Sequence, residues 1–93
     1  MSVEHHRARL RLDPEAVSWT EVDGEILALE RESSTYIATN RTGTVLWNAL
    51  VHGATREQLV AAVVRAFGIS EPTAAADTDA FVDALAGRGL LVT

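Results

Sequence analysis

The chain has no cysteine among its 93 residues. That excludes a disulfide scaffold, a thiol nucleophile and a Cys-based zinc site. Aromatic residues are scarce at 5%, and there are two prolines. Apolar runs are only a few residues long, too short to span a bilayer. The opening stretch MSVEHHRARLRLDPE lacks the apolar core of a signal peptide. Together these absences imply a cytoplasmic protein. Positive charge is also in deficit: 8 Lys and Arg face 13 Asp and Glu, giving a formal charge of −5. An acidic balance argues against nonspecific nucleic-acid binding, which requires cations to neutralise phosphates. Arg7, Arg9 and Arg11 do cluster, and a solvated tail is the preferred reading of them.

What is present is an ordinary globular composition, 47% hydrophobic, at a one-domain length. Residues 1–14 read as a flexible N-terminal arm ending at Pro14, and residues 15–93 as one domain. AVSWTEV has alternating, β-favouring residues. Asp23-Gly24 then marks a hairpin turn, and EILALE forms the second predicted strand. After the polar RESS loop, Thr35 to Thr39 forms the third. Three helices follow. The first is capped by Asn40 or Thr42, carries Leu46, Trp47 and Leu50 inward, and stops at Gly53. The second opens on a Thr55/Gln58 capping box, carries Leu59, Val60, Val63, Val64 and Phe67 at helical spacing, and ends at Gly68. The third starts near Ser70-Glu71-Pro72 and runs toward Gly87 and Gly89. Its apolar face is Ala74, Thr78, Phe81, Val82 and Leu85, and the LLV tail folds back on the core. The expected class is α+β: a three-stranded antiparallel sheet followed by three helices.

Catalytic chemistry is hard to find. His5 and His6 are neighbours and point to different sides, and His52 stands alone before a glycine. No metal site is expected. The glycines are too scattered for a phosphate loop. Acidic pairs such as Glu30 and Glu32, or Asp77, Asp79 and Asp83, read as solvated faces. Asn40-Arg41-Thr42 reads better as a cap than as a glycosylation acceptor. Trp19 and Trp47 read as core anchors. The remaining feature is geometric. The third strand is last in its sheet and carries neither Pro nor Lys to protect its outer edge. Either an extended peptide adds there as a fourth strand, or the third helix or the tail covers it.

YIATNRTGTVLW, GATREQLVAAVVRAFGIS and DTDAFVDALAGRGLL occur in the order of the PqqD family motifs. Over about residues 15 to 92 the chain resembles that family, the leader-binding module called the RiPP recognition element. It departs at Thr39, where the family usually has Leu, and at Thr78, where it usually has Val or Leu. Both departures should loosen the core slightly or face a pocket. The resemblance implies a winged helix-turn-helix-like fold with no catalysis and no cofactor. It implies binding of the leader of a ribosomally made precursor, added as an antiparallel strand beside the third strand and against the third helix. Free-standing members like this one resemble the leader-binding subunit of lasso-peptide systems, with a leader peptidase and possibly a cyclase as partners and neither nucleic acid nor membrane. A PqqD-type chaperone for a radical enzyme of pyrroloquinoline-quinone synthesis is the sibling reading. The implied peptide-binding residues are Thr35, Tyr36, Ile37, Ala38 and Thr39 on the strand, with Asp77, Ala80, Phe81 and Ala84 on the helix. The flank bearing Asp79 and Val82 is the other candidate. A winged-helix DNA-binding regulator is the rival function, and a general protein-binding adaptor is a third. The third helix is a poor DNA reader, since it sets three aspartates against Arg88.

Overall fold

The computed structural model describes residues 8–92. Its elements are β1 (Arg11–Leu12), β2 (Val17–Val22), β3 (Glu25–Glu30), β4 (Thr35–Ala38), α1 (Arg41–His52), α2 (Arg56–Phe67), α3 (Glu71–Gly87) and β5 (Leu91–Val92). β2, β3 and β4 form an antiparallel sheet in that order, and β1 pairs with β5 in a second, two-stranded sheet. The α+β class follows directly. Among the described residues no helix is long and apolar enough to cross a membrane.

Local chemistry accounts for most boundaries. Asp23 and Gly24 both adopt positive φ (53° and 79°), as a tight hairpin turn requires. Asn40 caps α1 by accepting from Gly43 N–H at 2.8 Å. Thr55 and Gln58 complete the reciprocal capping box of α2, and left-handed Gly68 ends that helix. Ser70 caps α3, with Pro72 in the first turn where its missing N–H costs nothing.

The core gathers Ile26 and Ala28 from β3, Leu46, Trp47 and Leu50 from α1, Leu59 and Val63 from α2, and Ala74 and Leu85 from α3. Cross-strand register puts Ile26, Ala28 and Glu30 on the face toward the helices. Leu27, Tyr36 and Val22 stay on the outer face, exposed. Trp47 is fully buried, as expected. Trp19 is not the core anchor expected of it: it is 40% exposed and meets Trp47 edge-on, with ring centroids 6.1 Å apart. Its place on the outermost strand leaves one side of the ring to solvent.

The expected arm over residues 1–14 needs correcting in its second half. Leu12 is buried and β1 pairs with β5, while Leu10 and Ala54 exchange backbone hydrogen bonds of 2.8 and 2.9 Å. Leu10 and Leu12 supply apolar side chains to the core, and the backbone between them finds partners in the tail. The tail does fold back, with Leu90 almost fully buried. His5, His6 and Arg7 lie outside the described residues. The two threonine departures behave differently. Thr39 Oγ1 accepts from Ile26 N–H at 3.1 Å and shares a 2.9 Å bond with Thr44 Oγ1, so its hydroxyl is satisfied. Thr78 is fully buried, and its Oγ1 has no partner among the described residues.

Candidate functional site: a sheet edge beside a helix groove

Among the described residues β4 is an edge of its sheet, since the order β2-β3-β4 places no strand outside it. The tail does not cover this edge, because β5 pairs with β1. The direction of the free groups follows from one bond. Thr39 N–H donates to Ile26 O at 3.0 Å. Backbone groups alternate along an antiparallel strand, so Ile37 and Thr35 also point toward β3. Tyr36 and Ala38 therefore present their N–H and C=O groups outward. The strand ends at Ala38 rather than at the expected Thr39, whose buried side chain instead closes the junction with α1.

Beside the strand's C-terminal end lies a groove of about 380 Å³, lined by Asn40, Thr42, Gly43 and Leu46 at the start of α1 and by Asp77, Ala80, Phe81 and Ala84 on α3. All four residues expected on α3 line it. The five expected on the strand do not: Thr35 to Ala38 form the edge, and Thr39 sits behind Gly43. The spacing 77, 80, 84 puts these side chains on one flank of the helix. Ala80 and Ala84 are exposed and Phe81 is half-buried. The flank bearing Asp79 faces α2 instead. Arg56 grips the Asp79 carboxylate with two bonds of 2.7 and 2.9 Å. Hydrogen bonding to Asp79 raises the pKa of Arg56 above its usual value, since removing its proton would break the pair.

The α1 half of the lining escaped the sequence reading, although Asn40 and Gly43 belong to the quoted TNRTG stretch. Gly43 is required by close approach. A Cβ there would stand 2.9 Å from Thr39 Cβ and 3.0 Å from the Phe81 ring. The glycine lets α1 start directly under the strand end while Phe81 forms the groove floor. Among the described residues no group of three or more His, Asp or Glu is placed to hold a metal.

The fold and site define a small α+β domain whose open sheet edge adjoins a helix-lined groove. The family model for coenzyme PQQ synthesis protein D (PqqD) matches residues 25–91, and the chain belongs to this family. Among solved structures it is similar to TbiB1 in complex with the TbiA(beta) leader peptide. The TM-score is 0.78 at 28% identity, covering 87% of this chain and 93% of that one. It also shares the fold of a lasso peptide synthetase B1 complexed with the leader peptide, with TM-score 0.77 at 22% identity, covering 92% of this chain and all of that one. No curated protein sequence matches the chain.

Proposed function

We propose that this chain binds the leader of a ribosomally synthesised precursor peptide by antiparallel strand addition to β4, and presents it to maturation enzymes. The observation that carries this reading is the free edge of β4, where Tyr36 and Ala38 offer backbone groups beside the α1–α3 groove. The leader complexes of the similar lasso peptide proteins support it. Residues Thr35 to Ala38 form the pairing edge. Asp77, Ala80, Phe81 and Ala84 form the wall that takes alternate leader side chains, and Thr39 acts from behind by holding the strand to α1. A disordered leader gives up about 2–5 kcal/mol on ordering. Backbone pairing and burial in the groove offset it.

The role is binding rather than catalysis. It belongs in the cytoplasm, where precursors are made, with a separate leader peptidase and then a cyclase as recipients. The family description, coenzyme PQQ synthesis protein D, favours a second reading in which the recipient is an enzyme of that synthesis, with the same edge at work. Duplex DNA is not a ligand in this reading, because the groove flank of α3 carries Asp77 and no cation until Arg88.

Fluorescence anisotropy with labelled TbiA(beta) leader and a labelled duplex tests the proposal. Leader binding with micromolar Kd, about −8 kcal/mol, and no duplex binding at physiological salt are expected. Ala38→Pro removes an outward donor at the edge and should weaken leader binding at least tenfold, while Ile37 keeps its bond to β3. A folded Ala38→Pro protein that binds as before would reject strand addition.

A further inference from the structure

We propose that Thr39 is a positioning residue for ligand capture: its hydroxyl, relayed through Thr44, fixes the direction of the Ala38 carbonyl, the last outward acceptor of β4, relative to the groove. The inference rests on the strand-addition reading above and names the side chain that prepares that edge.

Only Thr39 and Asn40 separate the end of β4 from the start of α1. The last rung of the ladder is built to allow so abrupt a turn. In an antiparallel pair, Ile26 and Thr39 would exchange two backbone hydrogen bonds. Thr39 N–H does donate to Ile26 O at 3.0 Å. Ile26 N–H, however, donates to Thr39 Oγ1 at 3.1 Å. The side chain takes the place of the residue's own carbonyl, and the backbone is released to turn into the helix. Thr39 thus grips both backbone groups of Ile26, one through its amide and one through its hydroxyl. That amide shares a peptide plane with the Ala38 carbonyl. In a trans plane the C=O and N–H point opposite ways. Holding Thr39 N–H on β3 therefore aims Ala38 C=O outward, where an added strand would donate to it.

The hydroxyl protons can be placed. Thr44 Oγ1 donates to Asn40 O at 3.0 Å. The 2.9 Å bond between the two hydroxyls therefore uses the proton of Thr39. A directed chain results, from Ile26 N–H to Thr39, from Thr39 to Thr44 and from Thr44 to Asn40 O. Both threonines are buried, and in such surroundings each bond polarises the next. The chain ends on the residue that caps α1 and lines the groove. It ties β3, the end of the free edge and the first turn of the groove's α1 wall at one point. Thr39 has no slack behind it, since its Cβ lies 2.9 Å from where a Cβ on Gly43 would stand. An edge held in this way has less freedom to lose when a ligand pairs with it, and binding is tighter for that reason.

The test is calorimetric titration of the full chain with the TbiA(beta) leader peptide, run well below the melting temperature of each variant. Thr39→Val keeps the shape and removes the hydroxyl, and it should weaken binding at least about fivefold. Thr39→Ser restores the hydroxyl and should bind within about twofold of the parent chain. Thr44→Val removes the acceptor of the Thr39 proton and should weaken binding about two- to threefold. In the free chain, amide exchange at Ile26 should quicken in Thr39→Val and stay slow in Thr39→Ser. A role confined to stability would lower the melting temperature of Thr39→Val and leave the affinity of the folded protein unchanged. That result, or a loss of affinity that Thr39→Ser does not restore, would overturn the positioning role while leaving strand addition intact. If Thr39→Val does not fold, Thr44→Val decides, and unchanged affinity there overturns the role. A parent chain that leaves the leader unbound removes the strand-addition reading and the positioning role with it.

Discussion

The two flanks of α3 are similar on paper and opposite in packing. Asp77 and Asp79 lie two residues apart on the helix, with Thr78 between them. One flank is tied down: Asp79 is gripped by Arg56 of α2, and Val82 is half-buried against the core. The other is left open: Asp77, Ala80 and Ala84 are exposed and line the groove beside the free strand edge. Between them runs the buried stripe of Ala74, Thr78 and Leu85. A helix packed on one side and bare on the other offers a rigid wall to a ligand at no cost in core packing. Small residues on the bare side keep the wall set back.

Changes on the buried stripe should give the largest effects, and they should fall on stability. Leu85→Ala deletes a fully packed side chain, and thermal or urea unfolding should show a loss of about 2–5 kcal/mol. A far smaller loss would mean that α3 is less firmly seated than its burial indicates. On the open flank the effect should move from stability to binding. Ala80→Trp or Ala84→Leu fills the groove, so leader affinity measured by calorimetric titration should fall at least tenfold, about 1.4 kcal/mol. The melting temperature should barely move, since exposed substitutions usually matter by less than about 0.5 kcal/mol. Normal leader binding by these variants would place the site elsewhere.

Thr78 sharpens the comparison in the reverse direction. Its buried hydroxyl has no partner among the described residues, so Thr78→Val removes an unsatisfied polar group at similar size. Unfolding measurements should show a gain of up to about 1 kcal/mol. A clear loss would reveal a partner for that hydroxyl. Arg56→Ala breaks the tied flank, but the pair is exposed by 39% and 50% and therefore screened. Equilibrium unfolding should register about 0.5 kcal/mol or less, decreasing with salt, and leader affinity should not change.

The helices were legible because their signals are local. Asn40, the Thr55/Gln58 box, Gly68 and Ser70 each act on backbone groups within a turn of themselves. The Asp23-Gly24 hairpin is equally short-range. β1 and β5 escaped because two residues carry no periodicity. Arg11 pairs with Val92 only once the whole chain has folded. Trp19 was misjudged for a related reason: its residue type says that it wants burial, not that its strand is an edge. Asn40, Thr42, Gly43 and Leu46 were visible as cap and helix, yet nothing in their spacing said that they face α3.

By itself the sequence determined the order of the three sheet strands and three helices, the hairpin, the caps, an acidic balance and the family. Each depends on residue types read within a few positions of one another. Only the tertiary structure decided which edge stayed free, which flank of α3 lines the groove, and where the groove runs. The choice between Asp77 and Asp79 rests on Arg56, 23 residues before Asp79 and reaching it from another helix. The depth of the groove rests on the close approach of Gly43 to Phe81. Contacts between residues remote in the chain exist only after the chain has closed on itself, so no local pattern encodes them.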